Sequence, residues 1–198
     1  MNFNIENKAF NNIKELTKYI KSIMSVIQSG IISVDGKDGS GKTYVSDYLS
    51  KTLHLLHLEL DKFIKEKKDQ YVDFIDYEKL VLAIKETPIG KDIIVIDGVC
   101  VLSVLQRLDI KPKCTIYVKR TNNTGYWYDE NYFNLDSTPE KIIKNDDEET
   151  KKFLELMNTE YIPNKNETIF HEIIKYHFDY KPHIKSDIIF ENAFQNSL

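Results

Sequence analysis

The chain has 198 residues, a length that a single α/β domain occupying residues 1–198 would fill. Its 27 basic and 31 acidic residues leave a formal net charge of −4, with no basic stripe to follow a phosphate backbone, so no nucleic-acid partner is expected. No apolar run reaches the ~18 residues of a membrane span, and residues 1–8 lack the basic start and apolar stretch of a secretory signal; the expectation is a cytoplasmic protein with no membrane partner.

In chain order, Phe10, Ile13, Leu16, Ile20, Ile23, Met24 and Ile27 recur at three- and four-residue steps, which predicts an amphipathic helix within residues 1–29 that ends at Gly30. It would cover the sheet; a contact in a homo-oligomer is its alternative role. Residues 31–35 are a β-branched strand signal, and they run into Gly36, Lys37, Asp38, Gly39, Ser40, Gly41, Lys42 and Thr43, which fit G-x-x-x-x-G-K-[ST]. Residues 44–53 can continue as an amphipathic helix. A glycine-rich turn between strand and helix lets backbone N–H groups converge on phosphates, with Lys42 adding charge at the β/γ positions and Thr43 a hydroxyl for Mg²⁺. ATP or another nucleoside triphosphate, with Mg²⁺, is the expected cofactor, and all eight loop residues are candidate nucleotide ligands.

Residues 55–60 form a short apolar stretch that ends at Asp61 and predicts the second strand. A helix starts near Asp76, a capping residue, and carries Leu80, Val81 and Ile84 to a turn at residues 87–90. Residues 92–98 have the continuous β-branched core of a parallel strand covered on both faces, with Asp97 at its C-terminal end. A carboxylate there suits Mg²⁺ beside Thr43, so the candidate metal residues are Thr43 and Asp97. A helix over residues 101–108 and a fourth strand over 114–118 follow.

From residue 119 the regularity weakens, and residues 121–125 read as a polar loop, which places a lid with its associated helices at about residues 119–160. The aromatics Tyr126, Trp127, Tyr128, Tyr132 and Phe133 suit local core better than base stacking. Ser137 or Thr138, with Pro139 and Glu140, marks a helix start; Phe153, Leu154, Met157 and Tyr161 suggest a second helical face ending before Pro163, with the acidic run 146–149 as its solvated start. A last helix over 169–178, carrying His171 and His177 in structural or solvated positions, leads to a strand-like segment at 187–190. Arg107 and Arg120 are the chain's two arginines and hence its two bidentate phosphate candidates. Cys100 and Cys114 have no ligand-like spacing and are expected to be reduced. The alternation of strands and helices predicts an α/β, three-layer P-loop NTPase fold with a mainly parallel central sheet, helices on both faces and a lid segment.

The run of residues 34–43, followed by Leu60-Asp61-Lys62-Phe63 and Val95-Ile96-Asp97-Gly98-Val99, resembles the uridine kinase family of P-loop kinases. Residues 73–77 are similar to a helix start of that family and residues 180–189 to its closing segment, so the likeness spans roughly residues 30–190. The resemblance implies ATP-dependent phosphoryl transfer to a hydroxyl of a nucleoside or nucleoside-like small molecule. It also implies Asp61 as general base, with Lys42 and Arg120 offsetting charge on the transferring group. Two stretches depart from the family. The segment between Asp61 and the third strand is short, and the arginine-rich lid is replaced by Lys119, Arg120 and a lysine-bearing stretch at 141–146. The loop also resembles that of thymidylate kinases, whose Asp-Arg pair after the third strand is missing. The alternative to a kinase is a P-loop ATPase, or a nucleotide-binding regulator or interaction protein without small-molecule kinase activity.

Overall fold

The computed structural model describes residues 7–65, 70–87, 92–133, 136–159 and 168–193. In chain order the elements are β1 (Lys8–Phe10), α1 (Ile13–Ile27), β2 (Gly30–Asp35), α2 (Lys42–Leu53), β3 (Leu56–Glu59), α3 (Tyr77–Lys85), β4 (Ile93–Asp97), α4 (Val101–Arg107), β5 (Cys114–Thr121), α5 (Pro139–Leu156), α6 (Ile169–Tyr180), α7 (Pro182–Lys185) and β6 (Ile188–Ala193). Among the described residues six strands form one sheet in the order β1-β6-β5-β2-β4-β3, and every strand-to-strand ladder is parallel.

Strand periodicity builds the three layers. Alternate side chains point to opposite faces, so Ile32 and Val34 of β2 and Ile93 and Val95 of β4 pack with Leu16, Ile20 and Ile23 of α1 and Val45 and Leu49 of α2. Ile31, Ile94 and Ile96 face the other way, onto Leu80, Val101, Val104, Leu105, Ile173 and Ile174 from α3, α4 and α6. Leu16, Ile20 and Ile23 are fully buried, and each such side chain contributes about 1.5–3 kcal/mol. The helix predicted over residues 1–29 therefore covers the sheet, but it begins at Ile13, because Asn12 accepts the first amide N–H groups from Lys14 and Glu15. Phe10 belongs instead to β1, whose three residues pair, among the described residues, with the last strand.

Chain order and sheet order place the ligand crevice. From β2 the chain crosses to β4 and β3 on one side, then to β5 and β6 on the other. The loop after β2 thus opens at the C-terminal edge where the winding reverses, which is where open parallel sheets bind ligands. The sheet order, the loop and the helices on both faces together make this a three-layer P-loop α/β fold. No helix among the described residues is long and apolar enough to cross a membrane.

Two further elements differ from their sequence patterns. β5 runs three residues past Val118, because Lys119, Arg120 and Thr121 continue the ladder with Glu191, Asn192 and Ala193 of β6. Polar side chains hid the last three residues of this strand. The two helical faces expected around residues 139–157 are one helix, α5, capped by Thr138. The acidic run 146–149 lies inside it and does not start a second helix. Nothing there breaks the backbone, and Lys144–Glu148 and Lys151–Glu155 pair one turn apart. Phe153, Leu156 and Met157 on its distal half are exposed. The turn residues 88–90, and Tyr161 and Pro163, lie outside the described residues.

Candidate active site

The site is built from the C-terminal ends of β2, β3 and β4. After Asp35 the chain turns through residues 36–41 and enters α2 at Lys42. Gly41 takes φ +96°, in the left-handed region, and a side chain there would collide with the amide of Asn192. That amide donates to the Ser40 carbonyl at 2.8 Å, tying the loop to the last strand. Beneath the loop, Asp35 is fully buried; its Oδ1 accepts the Gly36 N–H at 2.7 Å and its Oδ2 accepts the Tyr176 hydroxyl. Burial outweighs these hydrogen bonds and pushes its pKa up to about 6.

Lys42 is buried, and its ammonium donates to the Lys37 carbonyl at 3.1 Å, with Asp38 at 3.8 Å. The Lys37 side chain turns the other way, pairing with the buried Asp129 at 2.9 Å and lying over the Tyr132 ring. Thr43, at the first turn of α2, donates its hydroxyl to Asp97 Oδ2 at 3.0 Å. The parallel register sets Asp97 beside Val34 on one flank and Glu59 on the other.

Asp61 sits in a single 3₁₀ turn, Leu60–Phe63, immediately after β3, with Leu60 and Phe63 buried. Its Oδ1 accepts the hydroxyl of Tyr71 at 2.6 Å. Tyr71 is itself fixed, since its N–H and that of Val72 donate to the Glu172 carboxylate at 2.6 and 3.0 Å. Gly98 makes this arrangement fit, because a Cβ there would come within 2.9 Å of both Leu60 and the Tyr71 hydroxyl. Asp38, Gly39, Gly41, Lys42, Thr43, Glu59, Asp61, Asp97 and Gly98 line one pocket of about 270 Å³. The loop, Asp61 and Asp97, far apart in sequence, are thereby brought together.

Arg120 reaches the same loop from β5. Its guanidinium lies 5.0 Å from the Tyr128 ring and about 3.7 Å from where a Gly39 side chain would begin. Its Nε is buried with no hydrogen-bond partner among the described residues. A half-buried guanidinium whose Nε lacks a partner, beside a loop of backbone N–H groups, fits a polyphosphate chemically. The hard oxygens of Thr43 and Asp97 likewise fit Mg²⁺.

In the region expected to form a lid, Trp127 and Phe133 join the core, while Tyr126 and Tyr128 are exposed. Phe133 stacks on His177 with 3.7 Å between ring centres. His177 is structural: its Nε2 meets the Tyr117 hydroxyl at 2.9 Å and its Nδ1 the Ile173 carbonyl at 2.7 Å. His171 completes the capping box of α6 with Thr168. Arg107 pairs with Asp73 away from the loop, and both cysteines are buried and free.

No protein-family model and no curated protein sequence matches the chain. Among solved structures, a possible uridine kinase from Bacillus stearothermophilus aligns over 89% of this chain and 100% of its own, at 15% identity and a TM-score of 0.46. The fold assignment stands on the sheet order and the loop.

Sequence reasoning missed His57, Tyr71 and Asn192. His57 Nε2 lies 2.7 Å from Asp97 Oδ1 and its Nδ1 3.0 Å from Asp47 Oδ1. Burial pulls its pKa down, but the two carboxylates more than offset this and the net shift is upward. A signal for it was present: His57, Glu59 and Asp61 are polar at every second position of an otherwise apolar stretch, the period that sends them to one side of a strand. Tyr71 and Asn192 carry no local signal, because their partners are distant in sequence.

Proposed function

We propose that this chain transfers the γ-phosphoryl group of ATP to a hydroxyl of a nucleoside or nucleoside-like small molecule. The observation that carries this reading is the shared pocket lined by Asp61, the loop lysine and the hydrogen-bonded Thr43–Asp97 pair. A simple nucleotide-binding loop has no need of a second, separately anchored carboxylate there. In this reading residues 36–43 hold the phosphates and Thr43 with Asp97 hold Mg²⁺. Bound ATP supplies the phosphoryl group, and Mg²⁺ neutralises its charge.

The chain's own residues supply the remainder. Tyr71 engages Asp61 Oδ1, which orients the carboxylate and leaves Oδ2 to take a proton from the acceptor hydroxyl. Lys42 and Arg120 offset negative charge as it redistributes over the transferring group.

The test is a panel of nucleosides, nicotinamide riboside, pantothenate and sugars incubated with ATP and Mg²⁺ and read by mass spectrometry. A phosphorylated nucleoside supports the proposal. Release of ADP without phosphorylated acceptor identifies a hydrolase, and nucleotide binding with no turnover identifies a regulator; either result overturns it.

A further inference from the structure

The carboxylate of Asp97 is held at both oxygens. Oδ2 accepts the Thr43 hydroxyl at 3.0 Å and Oδ1 lies 2.7 Å from Nε2 of His57. The imidazole is secured from behind: its side chain is 8% exposed, and Nδ1 lies 3.0 Å from Asp47 Oδ1 on α2. Asp47 in turn pairs with Lys51 one turn along the same helix at 3.2 Å. An Asp–His–Asp chain therefore runs from α2, the helix that grows out of the phosphate loop, through β3 to the end of β4.

We propose that His57 is a positioning residue for the metal-holding carboxylate: its hydrogen bond to Oδ1 fixes the plane of Asp97 so that Oδ2 stays turned toward Thr43. The inference rests on the nucleotide-site reading above and adds a residue to it. A terminal carboxylate torsion is broad and roughly two-fold. Without His57 the group swings about its Cβ–Cγ bond, because Thr43 is a single exposed partner. The Asp47 contact stops the imidazole from turning away and couples its position to α2. In metal sites, partners that orient a ligand in this manner are typically worth 10–100-fold in metal affinity.

The experiment uses the full chain with Mn²⁺ as an EPR-visible probe, titrated in the presence of adenylyl imidodiphosphate. Nucleotide affinity in EDTA and the thermal midpoint are measured in parallel. His57→Ala is expected to weaken Mn²⁺ binding about tenfold or more while leaving metal-free nucleotide affinity near wild type; Tm falls, because the buried Asp97 carboxylate loses a partner. His57→Gln, whose amide can donate to Asp97, recovers most of the loss, and Asp47→Ala gives a smaller shift in the same direction. Unchanged Mn²⁺ affinity in His57→Ala overturns the proposal while the nucleotide site stands. An equal loss in metal-free nucleotide binding, with no recovery by Gln, also overturns it, making His57 a packing residue. If the wild-type chain binds no nucleotide, the reading of the site fails and this inference falls with it.

Discussion

Asp61 and Lys42 line one pocket, yet they are to be told apart by what their removal leaves intact. Asp61 is exposed and anchored through Tyr71, so Asp61→Asn keeps its size and one hydrogen bond while losing the capacity to take a proton. On the kinase reading, phosphoryl transfer to the best acceptor falls roughly 10²-fold or more, with calorimetric ATP affinity little changed. Equal losses in both quantities would make Asp61 a metal or structural group. Lys42→Ala acts on a different quantity. On the same reading Lys42→Ala removes positive charge where negative charge develops, so ATP use is expected to be abolished or severely weakened while the fold survives. An alanine variant with wild-type turnover would refute the assignment. Gly98 is the third test at this scale, because an added methyl meets Leu60 and Tyr71 within 2.9 Å. Gly98→Ala is expected to cost about 1–3 kcal/mol in urea denaturation through overpacking.

At the scale of elements, the loop is only as firm as the strand that braces it. β6 carries Asn192, which holds the Ser40 carbonyl, and the start of β6 is pinned to β5 by Asp187. Its Oδ2 accepts from the Thr115 N–H at 2.7 Å and hydroxyl at 2.8 Å, and its own N–H donates back to that hydroxyl oxygen at 2.8 Å. Asp187→Ala leaves the Thr115 N–H without its partner, an expected loss of about 1–3 kcal/mol, read as a lower urea midpoint. Among the described residues β1 pairs with β6 alone and starts with a bond from the Lys8 N–H to the Asp187 carbonyl, so its amides should exchange faster as well. An unchanged midpoint and exchange pattern would show that β6 is held by its hydrophobic contacts alone.

For the whole molecule, buried ionisable groups set the response to acid. Burial lowers the pKa of His177 to about 3 and of His183 to about 4, whereas burial raises that of Asp35 to about 6. Below the ordinary histidine pKa near 6.5, the unfolded chain protonates both imidazoles and the folded one neither, so their contribution is present above that pH and lost as pH falls toward the folded values. Asp35 acts in the opposite sense, since the folded state binds its proton first and gains stability as pH drops from about 6 toward 4. Between pH 6 and 4 the balance is two protons taken up on unfolding against one released, so stability falls by about 1.4 kcal/mol per pH unit. Urea titrations at pH 6, 5 and 4 test this, and His183→Gln should flatten the slope. A stability that rises on acidification would mean that Asp35 outweighs the histidine pair.

The sequence by itself determined the parallel α/β fold, the phosphate loop and the carboxylate ending β4, because each is written in local order. β-branched runs make covered strands, a glycine pattern makes a turn of amides, and Asp76 and Thr138 cap the helices they precede. Only the tertiary structure decided what depends on distant partners. Lys119 and Arg120 look like loop residues until β6 pairs with them, and the acidic run of α5 looks like a helix start until its continuous backbone is seen. His57 reads as one residue of an apolar strand until β4 lies alongside and Asp97 comes within 2.7 Å. A hydrogen bond across a parallel ladder joins residues that a whole crossover separates, so periodicity places each side chain on a face of its own element, and only the packing of the elements pairs it with another.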